Sequence, residues 1–180
     1  MTRDELLEVS REPNVAAFLR AIRLGEGTAD SQGYRRIVGG ALARNLADHP
    51  RQRVYLPRYA VHSTAAGAYQ FLSRTWDELV RQYGFPSFAP ECQDAAAVAL
   101  ILRRGALDAV REGDARRAVE LCRLEWASLP GSPYGQRTET MDRFLAEYLR
   151  HGGVLAGHVD GPRRPAGWLA GVMQRIRKGA

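Results

Sequence analysis

The chain has 180 residues, 45% of them hydrophobic and 26% charged, the balance of a soluble globular protein with one ordinary core and a tail. It has no apolar run near the ~18 residues of a membrane span and no basic-then-apolar start. No transmembrane segment or signal peptide is therefore expected, and the protein is expected to be made, and first held, in the cytoplasm. The net charge is +6, but residues 151–180 carry Arg163, Arg164, Arg175, Arg177 and Lys178 against Asp160 alone. The basicity belongs largely to the tail, so no nucleic-acid partner is expected for the main domain. Cys92 and Cys122 lack metal-ligand spacing and fall among apolar helical residues, which points to buried free thiols, and the four histidines are scattered. No metal and no cofactor are expected.

Thr2 and Glu5 form a capping box for a short first helix that ends before Pro13. A second helix over 14–24, with Asn14 as its N-cap, places Val15, Phe18, Leu19 and Ile22 on one face and ends at Gly25-Glu26-Gly27. Residues 34–62 change character. Ile37-Val38, Val54-Tyr55-Leu56 and Tyr59-Ala60-Val61 are short β-prone runs broken by Gly39-Gly40, Asp48-His49-Pro50 and Pro57, which reads as a small antiparallel sheet.

The helical period returns at Ser73, with Trp76, Leu79, Val80 and Tyr83 on one face and Gly84 as the stop. Pro90 opens an Ala-rich helix to Leu102, Asp114 caps one carrying Ala118, Val119, Cys122 and Trp126, and Thr138 caps one carrying Met141, Phe144, Leu145 and Tyr148. The fold class expected is α+β, mainly α. The domain would span 1–153, a Gly/Pro-rich linker 154–167, and a basic amphipathic helix 168–180. Trp168, Leu169, Val172, Met173 and Ile176 beside Arg175, Arg177 and Lys178 suit either an anionic membrane or outer-membrane contact or a terminal helix docked on the domain.

Glu26 is the candidate for chemistry. A carboxylate at a helix C-terminus faces the wrong end of the dipole, which favours the protonated form that a general acid needs, although a lone Glu in such a place is usually just solvated. Small residues from Ser63 to Ala68 lead to Tyr69-Gln70, a pair able to bond or stack on a sugar. The loop Trp126-Ala127-Ser128-Leu129-Pro130 to Tyr134-Gly135-Gln136 is suited to the lip of a carbohydrate groove. Tyr34 with Gly39-Gly40 and Asp48-His49-Pro50 reads equally well as turn chemistry.

Taken in order, Gly25-Glu26-Gly27-Thr28, Ile37-Val38-Gly39-Gly40, Asp48-His49-Pro50, Ser63-Thr64 to Gly67, Tyr69-Gln70, Leu72-Ser73-Arg74, Trp76-Asp77, Gln93-Asp94, Arg104-Gly105-Ala106-Leu107, and Trp126 to Pro130 with Tyr134-Gly135-Gln136 resemble the phage lambda-type endolysins. The resemblance runs from about residue 14 to 153. It implies a lysozyme-like fold with a substrate groove and a lytic transglycosylase acting on peptidoglycan strands; a monomer is expected. It also implies Glu26 as catalytic acid and groove-forming roles for Tyr69, Gln70 and the loop from Trp126 to Gln136; the expected substrate-binding residues are Tyr34, Ser63, Tyr69, Gln70, Trp126, Ser128, Leu129, Pro130, Tyr134 and Gln136. It further implies release from the host cytoplasm to the periplasmic wall through a pore-forming partner.

On that reading Glu26 protonates the glycosidic oxygen between N-acetylmuramic acid and N-acetylglucosamine, then removes the proton of the muramyl C6 hydroxyl as a 1,6-anhydro ring closes. Two alternatives stay open. One is a hydrolysing muramidase with Asp30 or Asp48 as second carboxylate; the other is a non-catalytic cationic protein that binds wall or membrane.

Overall fold

The computed structural model describes residues 1–157. The expected C-terminal helix and most of the expected linker, residues 158–180, lie outside the described residues.

Seven helices and one hairpin make up the described chain: α1 (Arg3–Val9), α2 (Pro13–Gly25), β1 (Val54–Leu56), β2 (Val61–Ser63), α3 (Ser73–Tyr83), α4 (Pro90–Arg103), α5 (Leu107–Arg111), α6 (Ala115–Cys122) and α7 (Met141–Arg150). Their centre is α4, which Pro90 opens and whose residues Ala95 to Ile101 are all buried. A helix that is apolar all round belongs in the middle of a domain, and its alanines let α1, α2, α3 and α5 pack closely onto it. The apolar stripe of α2 meets α7, where the Phe18 and Phe144 rings pack edge to face at 5.2 Å. A second layer of aromatics fills the space beside α3. The Trp76 ring stands edge-on to Phe88 at 4.7 Å and stacks on Phe85 at 5.7 Å.

Several boundaries differ from the sequence expectation for physical reasons. Helix α2 begins at Pro13, where the missing amide costs nothing, and Asn14 is not its cap. The Asn14 side chain instead donates to the Arg111 carbonyl and accepts from the Val154 amide. That bond, with Ala156 N–H to the Gly113 carbonyl, ties residues 154–156, the first of the expected linker, onto the domain. Thr140 rather than Thr138 caps α7, its hydroxyl accepting from the Arg143 amide, and the Glu139 amide just before it donates to the Ser128 carbonyl at 2.8 Å. Trp126 lies beyond the end of α6.

The sheet is smaller than expected. β1 and β2 pair antiparallel with Tyr55 opposite His62. Pro57–Tyr59 forms a 3₁₀ turn, closed by Ala60 at φ +51°, rather than a strand start. Ile37 makes an isolated bridge to Ala66, and Val38 N–H donates to Ala65 O, so this run pins the segment that follows the hairpin.

Candidate active site

Glu26 caps the C-terminus of α2, its amide donating to the Ile22 carbonyl, and Gly27 at φ +68° turns the chain away immediately after it. The half-buried Glu26 carboxyl lies against the 126–130 loop, and the Ser128 hydroxyl donates to Glu26 Oε1 at 2.6 Å. The approach is possible because residue 25 is glycine. A Cβ there would stand 2.7 Å from Ser128 Oγ. Burial pushes the Glu26 pKa up to about 7, against the opposing hydrogen bonds from the Ser128 side chain and backbone. A carboxyl poised there can give a proton and take one back near neutral pH.

Three stretches of chain close a ring around this carboxyl. Ser128 joins the 126–130 loop to Glu26; Thr28 Oγ1 donates to Ala68 O at 2.5 Å; and Trp126 Nε1 donates to Tyr69 O at 3.2 Å. The segments 25–30, 66–71 and 126–130 are thus bonded pairwise, each to the other two. Beneath them α4 supplies two polar residues. Gln93 Oε1 accepts from Ala68 N at 2.8 Å while its Nε2 donates to the carbonyls of Tyr34 and Phe88. Asp94 accepts the hydroxyls of Tyr69 at 2.5 Å and Tyr34 at 2.9 Å. Burial raises the Asp94 pKa against those two bonds.

Arg23, also buried, donates to the carbonyls of Thr28 and Asp30 and lies 4.4 Å above the Tyr34 ring. It therefore stiffens the loop that leads out of Glu26.

The two rival carboxylates have other occupations. Asp30 is exposed and accepts from Arg36 at 2.5 Å, a bond that holds its pKa below the ordinary value, with the Gln32 amide adding to it. Burial alone would raise the Asp48 pKa, but bonds from Arg51, the His49 amide and Trp76 Nε1 bring it below the ordinary value. Arg51 also bridges Asp48 to Asp77.

With this geometry in view, the comparisons decide the family. The endolysin family model matches residues 16–155. The chain belongs to the endolysin family. It is 42% identical over 146 residues to the endolysin of Escherichia phage lambda, covering 77% of this chain and 91% of that protein. It is 38% identical over 162 residues to the endolysin of Escherichia phage P2, covering 82% and 98%. A solved structure of bacteriophage lambda lysozyme complexed with a chitohexasaccharide matches with a TM-score of 0.73 at 41% identity, over 77% of this chain and 94% of that one. A second structure of the lambda lysozyme matches at 0.72 and 40%, over 79% and 96%. The fold of this endolysin is accordingly lysozyme-like, mostly helical with a two-stranded antiparallel sheet.

The ring of segments brings together most of the expected substrate-binding residues, but not all can touch a sugar. Tyr69, Trp126 and Leu129 are 2%, 3% and 1% exposed. Their expected role as direct contacts is corrected: Tyr69 and Trp126 hold the walls from behind, and Leu129 is core. Tyr34 likewise spends its hydroxyl on Asp94. Gln70, held at φ +48°, donates through Nε2 to the carbonyls of Gly67 and Arg36, so its amide nitrogen serves the backbone instead of a substrate.

Ser63 accepts from the Ala65 amide at the base of the hairpin. Pro130 is half-buried, while Tyr134 and Gln136 are exposed on the outer loop, with Tyr134 donating to Leu124 O. Arg23, Thr28, Gln93 and Asp94 were not among the expected site residues. The signal for the last two was a polar Gln-Asp pair inside an otherwise apolar helix.

Proposed function

We propose that this endolysin cleaves the β-1,4 bond between N-acetylmuramic acid and N-acetylglucosamine in peptidoglycan, leaving 1,6-anhydromuramic ends. The observation that carries the reading is the Glu26 carboxyl, raised to a pKa of about 7 and aligned by Ser128, while Asp30 and Asp48 are tied up by arginines. The sugar-bound state of the lambda lysozyme supports a glycan substrate.

In the first step the Glu26 carboxyl gives its proton to the bridging oxygen as the C1–O bond breaks and positive charge develops at the muramyl C1. In the second, the C6 hydroxyl of the same sugar attacks C1 and the Glu26 carboxylate takes its proton. The acid is restored and no water is consumed. A nucleophile carried by the substrate itself removes the need for an enzyme carboxylate opposite Glu26.

Mass spectrometry of the muropeptides released from purified sacculi tests this. Anhydro products, each lighter by one water than a hydrolysed end, are expected. Reducing ends alone would instead mean hydrolysis with a second carboxylate, and lysis by a Glu26→Gln variant would mean a non-catalytic, cationic mode of action.

A further inference from the structure

Between His49 and Trp76 the sequence has four arginines, Arg51, Arg53, Arg58 and Arg74, and no acidic residue. Two of the four have carboxylate neighbours: Arg51 bridges Asp48 and Asp77, and Arg74 approaches Glu78 at 3.9 Å. Among the described residues Arg53 and Arg58 have no ion-pair partner, and both are exposed on the β1–β2 hairpin. The same hairpin displays apolar surface. Tyr55 is 52%, Val61 49% and Tyr59 38% exposed. The Tyr55 ring rests against His62 at 5.1 Å across the strands, and Arg58 lies 5.6 Å from the Tyr59 ring centroid. Free guanidinium groups beside exposed rings form a surface suited to a partner that is anionic and partly apolar.

The hairpin is also well placed. Ser63, its last strand residue, is five residues from Ala68, whose carbonyl Thr28 holds beside the Glu26 loop. Even a fully extended chain puts those positions within ~17 Å. A strand lying over Glu26 is therefore within reach of the hairpin. The sugars of a glycan strand offer N-acetyl groups and hydroxyls, which ask for no cation. The carboxylates of such a wall strand are on the short peptides attached to its muramic residues, and a guanidinium fork matches a carboxylate in two hydrogen bonds.

We infer that this hairpin is a peptide-carboxylate clamp: Arg53 and Arg58 bind the acidic peptides of the strand being cut, with Tyr55 and Tyr59 covering their aliphatic parts. This rests on the cleavage reading above and adds to it a preference, for peptide-bearing strands over bare ones.

The test uses the full chain, its Arg53→Gln/Arg58→Gln double variant, and two substrates: glycan strands with their peptides, and the same strands stripped by an amidase, with the lactyl carboxylates that this frees capped as methylamides. The double variant is expected to lose about fivefold in kcat/KM on peptide-bearing strands, the order that two exposed charge pairs supply together. It should be unchanged on stripped strands, and the wild-type preference should shrink as salt is raised. Unchanged activity on stripped strands also shows that the variant is folded.

Equal loss on both substrates, or no loss on the peptide-bearing one, overturns the clamp. So does a variant that keeps the peptide preference but no longer sediments with phosphatidylglycerol vesicles, which would assign the arginines to lipid. If the wild type cuts neither substrate, the cleavage reading itself falls. If it cuts both equally, only the clamp does.

Discussion

Ser128 and Glu26 lie 102 positions apart in sequence and share a 2.6 Å hydrogen bond in which the serine hydroxyl donates to the carboxylate. A donor of this kind favours the ionised form, so it offsets part of what burial does. In Ser128→Ala the backbone amide remains and the hydroxyl is lost. The Glu26 pKa should then rise by about one pH unit, the equivalent of one hydrogen bond to a charged group. The pH–rate profile on purified walls checks this: the alkaline limb should move upward while the rate at its maximum falls. An unmoved limb would mean that Ser128 does not tune the acid.

Glu26→Gln should separate activity from stability. Removing a general acid costs about 10²–10⁴-fold in rate. The native pKa of about 7 lies above the ordinary 4.5, so the folded state holds the proton more tightly. The stability this brings is full below pH 4.5 and is lost as the pH rises to about 7, a change of about 3 kcal/mol. The glutamine carries no such dependence. Denaturant titrations at pH 4 and pH 8 should therefore show the variant gaining on the wild type at pH 8 by up to that amount, while turning over almost no wall. A constant difference at both pH values would show that Glu26 is not held in the poorly solvated state.

The contrast between what sequence reveals and what it hides follows from the range of the interactions. Gly84, Pro90 and Asp114 mark helix ends through contacts within a turn, and the structure places all three where expected. Glu26 could be located because a Gly-Glu-Gly step ends a strongly periodic helix. Its partner could not be found in this way, because the Ser128 bond spans most of the chain.

The aromatic residues were legible as types but not as directions. Tyr69 and Trp126 turn inward because Asp94 and the Tyr69 carbonyl offer acceptors there, and nothing in the local pattern says so. Arg23 is hidden for a similar reason. In the last turn of α2 it reads as a solvated cation, yet the carbonyls of Thr28 and Asp30 and the Tyr34 ring draw it inside.

Thr28→Val should loosen the ring without touching the acid. Valine keeps the shape and removes the donor, leaving the buried Ala68 carbonyl without its 2.5 Å partner. The expected cost is about 1–3 kcal/mol, read as a drop in Tm. Because Ala68 lies in one of the three segments that close around the Glu26 carboxyl, KM for wall fragments should rise more than kcat falls. A variant as stable as the wild type would show that this bond contributes little to joining the two segments.

His49 offers the last test, with a pH dependence opposite to that of Glu26. Its Nδ1 accepts from the Arg51 amide at 3.0 Å, so the ring proton belongs on Nε2, which faces the Phe71 carbonyl at 2.8 Å. Protonating Nδ1 would break the first of these bonds. Burial lowers the His49 pKa, against the Phe71 bond. The stability of the neutral ring is therefore complete above the ordinary 6.5 and is lost as the pH falls toward the lowered native value. In His49→Gln, an amide that can still donate to Phe71 but cannot titrate, the Tm at pH 5 relative to that at pH 7 should lie higher than in the wild type. In a Glu26→Gln background, where the opposing term is gone, the wild-type His49 should give the steepest decline of the set. An unchanged slope on replacing His49, whether position 26 is Glu or Gln, would show that His49 is not held neutral by the fold.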